Sequence, residues 1–244
     1  MGRSSMRSFR KAGNSKMADK SIEKFADLGT VLIAYMRDVT YTMHHSIQAF
    51  NNKARMIGRA FTVKGPDIYF NALESIPKQS VYVHSQGSED HAVWSGVYAE
   101  VYGESRGLIG AVIDGGIHDR KITAECPMPT FGRFVSPLPG INREEGTIQI
   151  PVVCGGVPVC PGDIIIGDAD GVVVIPRTNE EEIYRKVDGL IDGLALFLKV
   201  AQQPGVVVTK HEALGELVKL KYKHPHDYWR CCESWADKWK EKYG

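Results

Sequence analysis

The sequence predicts one α/β domain in which helices pack on mixed sheets. Three observations predict it. Apolar residues recur at helical spacing near the N-terminus, short β-branched runs broken by Gly and Pro dominate beyond residue 130, and no linker, low-complexity stretch or repeat divides residues 20–220. Hydrophobic residues make up 43% and charged residues 24% of the 244 positions, an ordinary globular balance. A net charge of +1 creates no field that favours nucleic acid or an anionic membrane. The five cysteines form no C-x-x-C array, which argues against a disulfide framework or a structural zinc site and fits a reducing, cytoplasmic compartment. The longest apolar runs, such as Gly162–Pro176, are short and interrupted by aspartates, so no bilayer span is expected.

The elements follow in order. Residues 1–20 carry Arg3, Arg7, Arg10, Lys11 and Lys16 among serines and read as a disordered basic tail. From Ile22 to about Phe50, the residues Phe25, Leu28, Leu32, Tyr35 and Met36 recur at helical spacing, predicting an amphipathic helix or helix pair. Arg59–Lys64 alternates as a strand that Gly65-Pro66 stops. Tyr69–Ser75 reads as a short helix and Ser80–His84 as a strand. Residues 91–106 read as a helix, Leu108–Asp114 as a buried strand, and a further helix follows Asp119. Phe131–Val135, Thr147–Val152, Val157–Val159, Ile164–Ile166 and Val172–Ile175 read as strands. A helix opens after Pro176, with Thr178 or Asn179 as cap and acids in its first turn; it carries Ile183, Val187, Leu190, Ile191 and Leu194. Residues 21–222 form the domain, and residues 223–244 read as a helical extension, since Trp235 and Trp239 stand four apart.

Two segments carry a family resemblance. Gly107-Leu-Ile-Gly-Ala-Val-Ile-Asp-Gly-Gly-Ile-His-Asp119 resembles the pattern G-x-x-G, three hydrophobics, D-G-x-x-R-D of the RraA-like family. The run from Val152 through Gly155-Gly156-Val157, Pro161-Gly162-Asp163 and Asp168-Ala-Asp-Gly171 to Pro176 resembles the same family almost residue for residue. The resemblance implies a three-layer β/β/α domain of the swivelling type. It also implies a homotrimer or a homohexamer of paired trimers, with the active site in the cleft between subunits.

The activity it implies is metal-dependent aldol cleavage or decarboxylation of a 2-oxo acid. Mg2+ or Mn2+ serves there as Lewis acid toward an enolate of pyruvate. The family aldolases carry D-x20-R-D: an Asp that manages the proton, an Arg on the substrate oxygens, and an Asp that anchors the metal. Counting back twenty residues from His118 lands on Val97, so the motif here is Val97-x20-His118-Asp119. Asp119 is the expected metal anchor, or a helix N-cap. His118 cannot offer the fork of an Arg, but it can act as acid or base near neutral pH or ligate a softer metal. Val97 cannot transfer a proton, and His91, Glu100 and Glu104 are the nearest replacements in sequence; the two glutamates also read as a solvated helix face.

The segment Ser95, Gly96, Val97, Tyr98 occupies the family's glycine loop, whose backbone amides would cradle a substrate carboxylate at a helix start. Arg120 and Lys121 read as surface charges, Asp114 as a group behind the site, and Asp163, Asp168 and Asp170 as turn residues. His44-His45 and His224-Pro-His226 lack the further ligands of a metal site. A divalent-metal-dependent lyase or related enzyme acting on a small carboxylate is therefore expected; because two of the three motif positions differ, an isomerisation, a hydration or a different carbon–carbon cleavage is equally compatible. Two rivals stand beside it: a non-catalytic regulator that binds an RNA-degrading enzyme, as some relatives are described, and a structural trimer with a vestigial pocket.

Overall fold

The computed structural model describes residues 20–23, 25–26, 28–51, 54–65, 70–85, 90–140 and 146–187. The expectations for the basic tail, for Leu190, Ile191 and Leu194, and for the histidines and tryptophans beyond them lie outside the described residues. The chain opens with the short helices α1 (Lys20–Glu23) and α2 (Thr30–Ala34) and the short strands β1 (Tyr41–Thr42) and β2 (Gln48–Ala49). Next come β3 (Met56–Lys64) and α3 (Phe70–Ser75).

The core is then built by three passes of one unit, in each of which a strand of a large sheet runs on into a strand of a small one. β4 (Ser80–Ser85) leads to β5 (Ala92–Ser95), β6 (Gly110–Ile113) to β7 (Gly116–His118), and β8 (Thr130–Gly132) to β9 (Phe134–Val135). Between passes the chain returns through a π-helical turn (Gly96–Glu100) with α4 (Val101–Arg106), and through α5 (Arg120–Glu125). β10 (Thr147–Ile148), β11 (Val152–Cys154), β12 (Val157–Val159), β13 (Ile164–Asp168) and β14 (Gly171–Ile175) complete the strands. A 3-10 turn (Arg177–Asn179) then enters helical residues 180–187.

The large sheet has nine strands in the order β1-β14-β13-β3-β4-β6-β8-β2, with β10 on the end of β3. Its middle, β3-β4-β6-β8, is parallel. The small sheet β5-β7-β9 is parallel throughout. β11 and β12 form a separate hairpin whose two turn glycines, Gly155 and Gly156, have φ of 58° and 80°. Both central positions of this tight turn need left-handed backbone, which explains a Gly pair there. Two sheets layered with helices give the β/β/α arrangement expected from the sequence.

The period of two along each strand distributes its side chains to different cores. Val81 and Val83 join Val112, Phe131 and Ile165 on one face of the large sheet, under the hairpin. Tyr82 joins Ala111, Ile113, Trp94 and Ile117 on the other, against the small sheet and α3. At the far end Ile164, Ile166, Val173 and Ile175 pack under Phe25, Leu32, Ile33 and Ile183. α2 is held from across the fold, because Thr30 N and Oγ1 donate to the Asp168 carboxylate at 2.8 and 2.6 Å. Asp168 also accepts from the Asp170 amide at 3.0 Å, and Asp163 accepts from the Cys160 and Arg177 amides. These aspartates tie turns, as expected. Asp168→Ala should therefore cost about 1–2 kcal/mol, read as a lower urea midpoint with an unchanged slope.

Three expectations are corrected. The stretch from Ile22 to Phe50 opens as the expected helix pair, but helix ends at Ala34 and strands follow, because Tyr41 and Thr42 pair with Val174 and Val173 at the sheet edge. Tertiary pairing overrides the helical spacing there. Residues 92–95 form a strand where a helix was predicted; all four are buried between layers, so neither face carries a polar pattern. Phe131–Val135 and Thr147–Val152 each divide in two at the crossing from one sheet to another. Among the described residues, no helix is long and apolar enough to cross a membrane.

Candidate active site

Strands β5 and β7 end side by side, with Ser95 in register with His118. The carboxyl ends of parallel strands are where α/β folds present ligand-binding groups. Here they bring together most of the residues singled out from the sequence. Ser95 is buried at the end of its strand, and Gly96 opens the helical run that continues to Arg106. The first backbone amides of such a run, at residues 96–98, lack acceptors within it. Gly96 must be glycine for a local reason. A Cβ there would lie 2.5 Å from Thr123 Oγ1, 3.2 Å from Asp119 O and 3.3 Å from Asp119 Cβ. The amide cradle is thus seated directly on the first turn of α5.

Asp119 stands at the start of α5 with left-handed backbone, φ 61° and ψ 41°. Its side chain makes no capping hydrogen bond to that helix. Instead Oδ2 meets His118 Nδ1 at 2.7 Å, with the two side chains 36% and 22% exposed respectively. A ring nitrogen facing a carboxylate carries the proton, because a bare lone pair would be repelled. That fixes the imidazole and leaves Nε2 as the group that can gain or lose a proton. The pair is therefore an oriented carboxylate–imidazole contact beside a row of amides, a geometry able to move a proton.

The other sequence candidates disperse. Arg120 and Lys121 are exposed. Asp114 accepts from Arg133 Nε and from the Gly155 amide, which ties β6 to the hairpin. His44 and His45 stack on each other, and His91 lies 2.9 Å from exposed Asp90. Glu104 is exposed, as a solvated helix face requires, but Glu100 is fully buried and corrects that reading. The signal was present: Glu100 lies among the small residues Ala99 and Gly103, both buried, on the face of the helical run that packs inward. Trp94, Thr123, Cys126 and Thr130 surround its carboxyl, and burial raises its pKa against the pull of those donors. Neither oxygen closes a hydrogen bond of normal geometry, nor do Trp94 Nε1 and Thr123 Oγ1.

Among the described residues, no three His, Cys, Asp or Glu side chains gather as a metal cage. One carboxylate suits a different kind of ion. Asp119 is partly exposed, and its Oδ1 has no hydrogen-bond partner among the described residues, which fits a hard cation that keeps most of its water. A groove of about 390 Å³ lies elsewhere, lined by Ala34, Arg37, Thr40, Tyr41, Thr42 and Val157. It contains no candidate site residue and no carboxylate or imidazole.

The RraA-like family model, described as Aldolase/RraA, matches residues 17–174. A Halalkalibacterium halodurans protein named "Putative 4-hydroxy-4-methyl-2-oxoglutarate aldolase" is 31% identical over 170 residues, covering 68% of this chain and 80% of that one. Among solved structures, an uncharacterized protein of Pseudomonas syringae superposes with a TM-score of 0.71 at 23% identity, covering 84% of this chain and 98% of that chain. The RNA-processing inhibitor RraA from Thermus superposes with a TM-score of 0.55 at 23% identity, covering 61% of this chain and 92% of that chain. At these identities the two superpositions show a shared fold.

Proposed function

Because this chain belongs to the RraA-like family, we propose that it is a carbon–carbon lyase acting on a small 2-oxo acid, of the class named for its aldolase relative. The observation that carries the reading is the 2.7 Å contact between His118 Nδ1 and Asp119 Oδ2, set beside the amides of the 96–98 turn. The substrate carboxylate lies against those amides, where the start of a helical run favours negative charge. His118 Nε2 takes the proton from the hydroxyl on the carbon to be released. The bond between that carbon and its neighbour breaks, the released fragment becomes a carbonyl compound, and the electron pair remains as the enolate of pyruvate. His118 returns its proton to the enolate carbon, which balances the step. A divalent cation such as Mg2+ or Mn2+, held by Asp119 through water, would supply positive charge against the enolate.

Exposed apolar side chains stand on the elements that carry or adjoin the site: Val101 on α4, Ile122 on α5, and Val135 on β9. They support assembly as a trimer or hexamer with the cleft between subunits. The same side chains favour a second reading, a regulator that docks an RNA-degrading enzyme, the role that the name of the Thermus inhibitor indicates for that protein. The free thiols Cys126, Cys154 and Cys160 suit a cytoplasmic location.

Titration with Mn2+ and oxalate, a mimic of pyruvate enolate, separates the readings. The lyase should bind the two cooperatively, Asp119→Asn should weaken oxalate by at least about tenfold, and Asp170→Asn should leave it unchanged. Wild-type protein that ignores oxalate at millimolar concentration defeats the lyase reading. A regulator would keep its partner in Asp119→Asn.

A further inference from the structure

We infer that Glu100 is a positioning residue for the amide cradle: its protonation state, carried through the Thr123 hydroxyl, sets the placement of Gly96. The inference deepens the proposed function and rests on the cradle described there.

Among the described residues, Glu100 alone combines a fully buried carboxyl with two oxygens lacking a hydrogen-bond partner. Such a group destabilises a fold, since an apolar or amide side chain of the same size would be tolerated better, and its presence here points to a role other than stability. The side chains that act on it are Trp94 from β5, Thr123 from α5, Cys126 just past α5, and Thr130 from β8. The titratable ones are few. Burial pushes the Cys126 thiol up to about 11, so it stays neutral, and Glu104 is exposed on the next turn. No cation faces Glu100 among the groups that act on it.

Thr123 joins this chamber to the site. Its hydroxyl oxygen is unpaired, faces the Glu100 carboxyl, and lies where a side chain on Gly96 would stand. Its amide also holds the Asp119 carbonyl at 3.0 Å. While Glu100 is neutral, the hydroxyl is not drawn to either side. Once Glu100 ionises, the buried charge draws in the donors around it, the Cys126 S–H, the Thr130 and Thr123 O–H groups and the Trp94 N–H, and of these Thr123 is the one that also packs on Gly96. That shifts the seat of Gly96 and puts negative charge beneath an anion site. The sign follows: anions bind best below the Glu100 midpoint and less well as pH rises through it. By reciprocity, a tenfold loss of affinity corresponds to a rise of about one pH unit in that midpoint when the anion is bound.

The test uses the full-length protein. Ser95-Gly96 is the only Ser-Gly pair in the sequence, so 13C-carbonyl serine with 15N-glycine isolates the Gly96 amide by NMR. The Trp94 indole is identified with Trp94→Phe. Between pH 4 and 9, both signals should move together in wild type, with a midpoint above the ordinary glutamate range. In Glu100→Gln the indole should be flat, and the Gly96 signal should lose the component that moves with the indole. In Thr123→Val the indole should still move, while the Gly96 response falls by more than half.

Oxalate with Mg2+ supplies the functional arm: wild type should lose about tenfold in affinity across the midpoint, and Glu100→Gln should keep the low-pH affinity throughout. That rescue is not what a merely structural glutamate would give. A Gly96 signal that ignores pH, or one that titrates equally in Glu100→Gln, overturns the inference. Coupled titration in a protein that never binds oxalate overturns the lyase reading and leaves the Glu100–Gly96 coupling standing.

Discussion

If the proposed lyase reaction is the one catalysed, replacing His118 with alanine should lower kcat/KM for pyruvate release by about 10²- to 10⁴-fold, the usual contribution of a positioned acid or base. The reason is geometric. Asp119 Oδ2 occupies Nδ1, so the proton that moves can only be handled by Nε2. No other imidazole among the described residues stands at the ends of β5 and β7. His118→Gln keeps a donor for Asp119 and loses the basic ring nitrogen, so its activity should fall nearly as far while oxalate binding survives. The folded state should tolerate both changes within about 1 kcal/mol, because the side chain is partly exposed and packs no core. A His118→Ala enzyme that turns over within threefold of wild type would mean that another group moves the proton.

The largest effect on stability is expected at Phe131. Its ring is fully buried beneath the hairpin, in contact with the core around Met56, Val112 and Ile165. The ring atoms also lie 2.8 and 2.9 Å from the position a Cβ on Gly167 would take, so the strand opposite has been pared to fit them. Phe131→Ala leaves a cavity that β8 and β13, held in one sheet, cannot collapse to fill. The cost should be about 3–5 kcal/mol, or a fall in melting temperature of roughly 10 °C for a domain of this size. Phe131→Leu should recover more than half of it. Equal losses in the two variants would point to a specific ring contact rather than to volume.

Much of this architecture is legible in the residues, and the illegible parts have physical causes. The β13–β14 pair could be read because its runs are almost purely β-branched and are bounded by turn residues, Pro161-Gly162 before, Asp168-Ala-Asp-Gly171 between and Pro176 after; Ile165 and Val174 go to one core, Ile164 and Val173 to the other. The Gly155-Gly156 turn could be read because its backbone admits little else. Ala92–Ser95 could not be read correctly, since a short strand buried on both sides has no period to separate it from a buried helix. Of the candidate site, His118, Asp119 and the turn at Gly96 stood out by spacing and resemblance, and the fold brings them together. The link between His118 and Asp119 was not foreseeable, because adjacent residues on a strand end point the same way only when the second takes left-handed backbone. Glu100 was misplaced for a related reason. A charged residue on an apparent surface helix becomes internal only when another element, here α5, is laid over it.

The left-handed backbone at position 119 also acts as a filter on sequence drift. Aspartate, asparagine and glycine occupy that conformation with little strain, whereas alanine, glutamate and branched residues pay for it in every copy of the protein. Descendants that abandon the proposed chemistry should therefore pass through Asn or Gly at this position. The residue found there in a related genome would then report whether its owner still works as a catalyst or has kept only the scaffold.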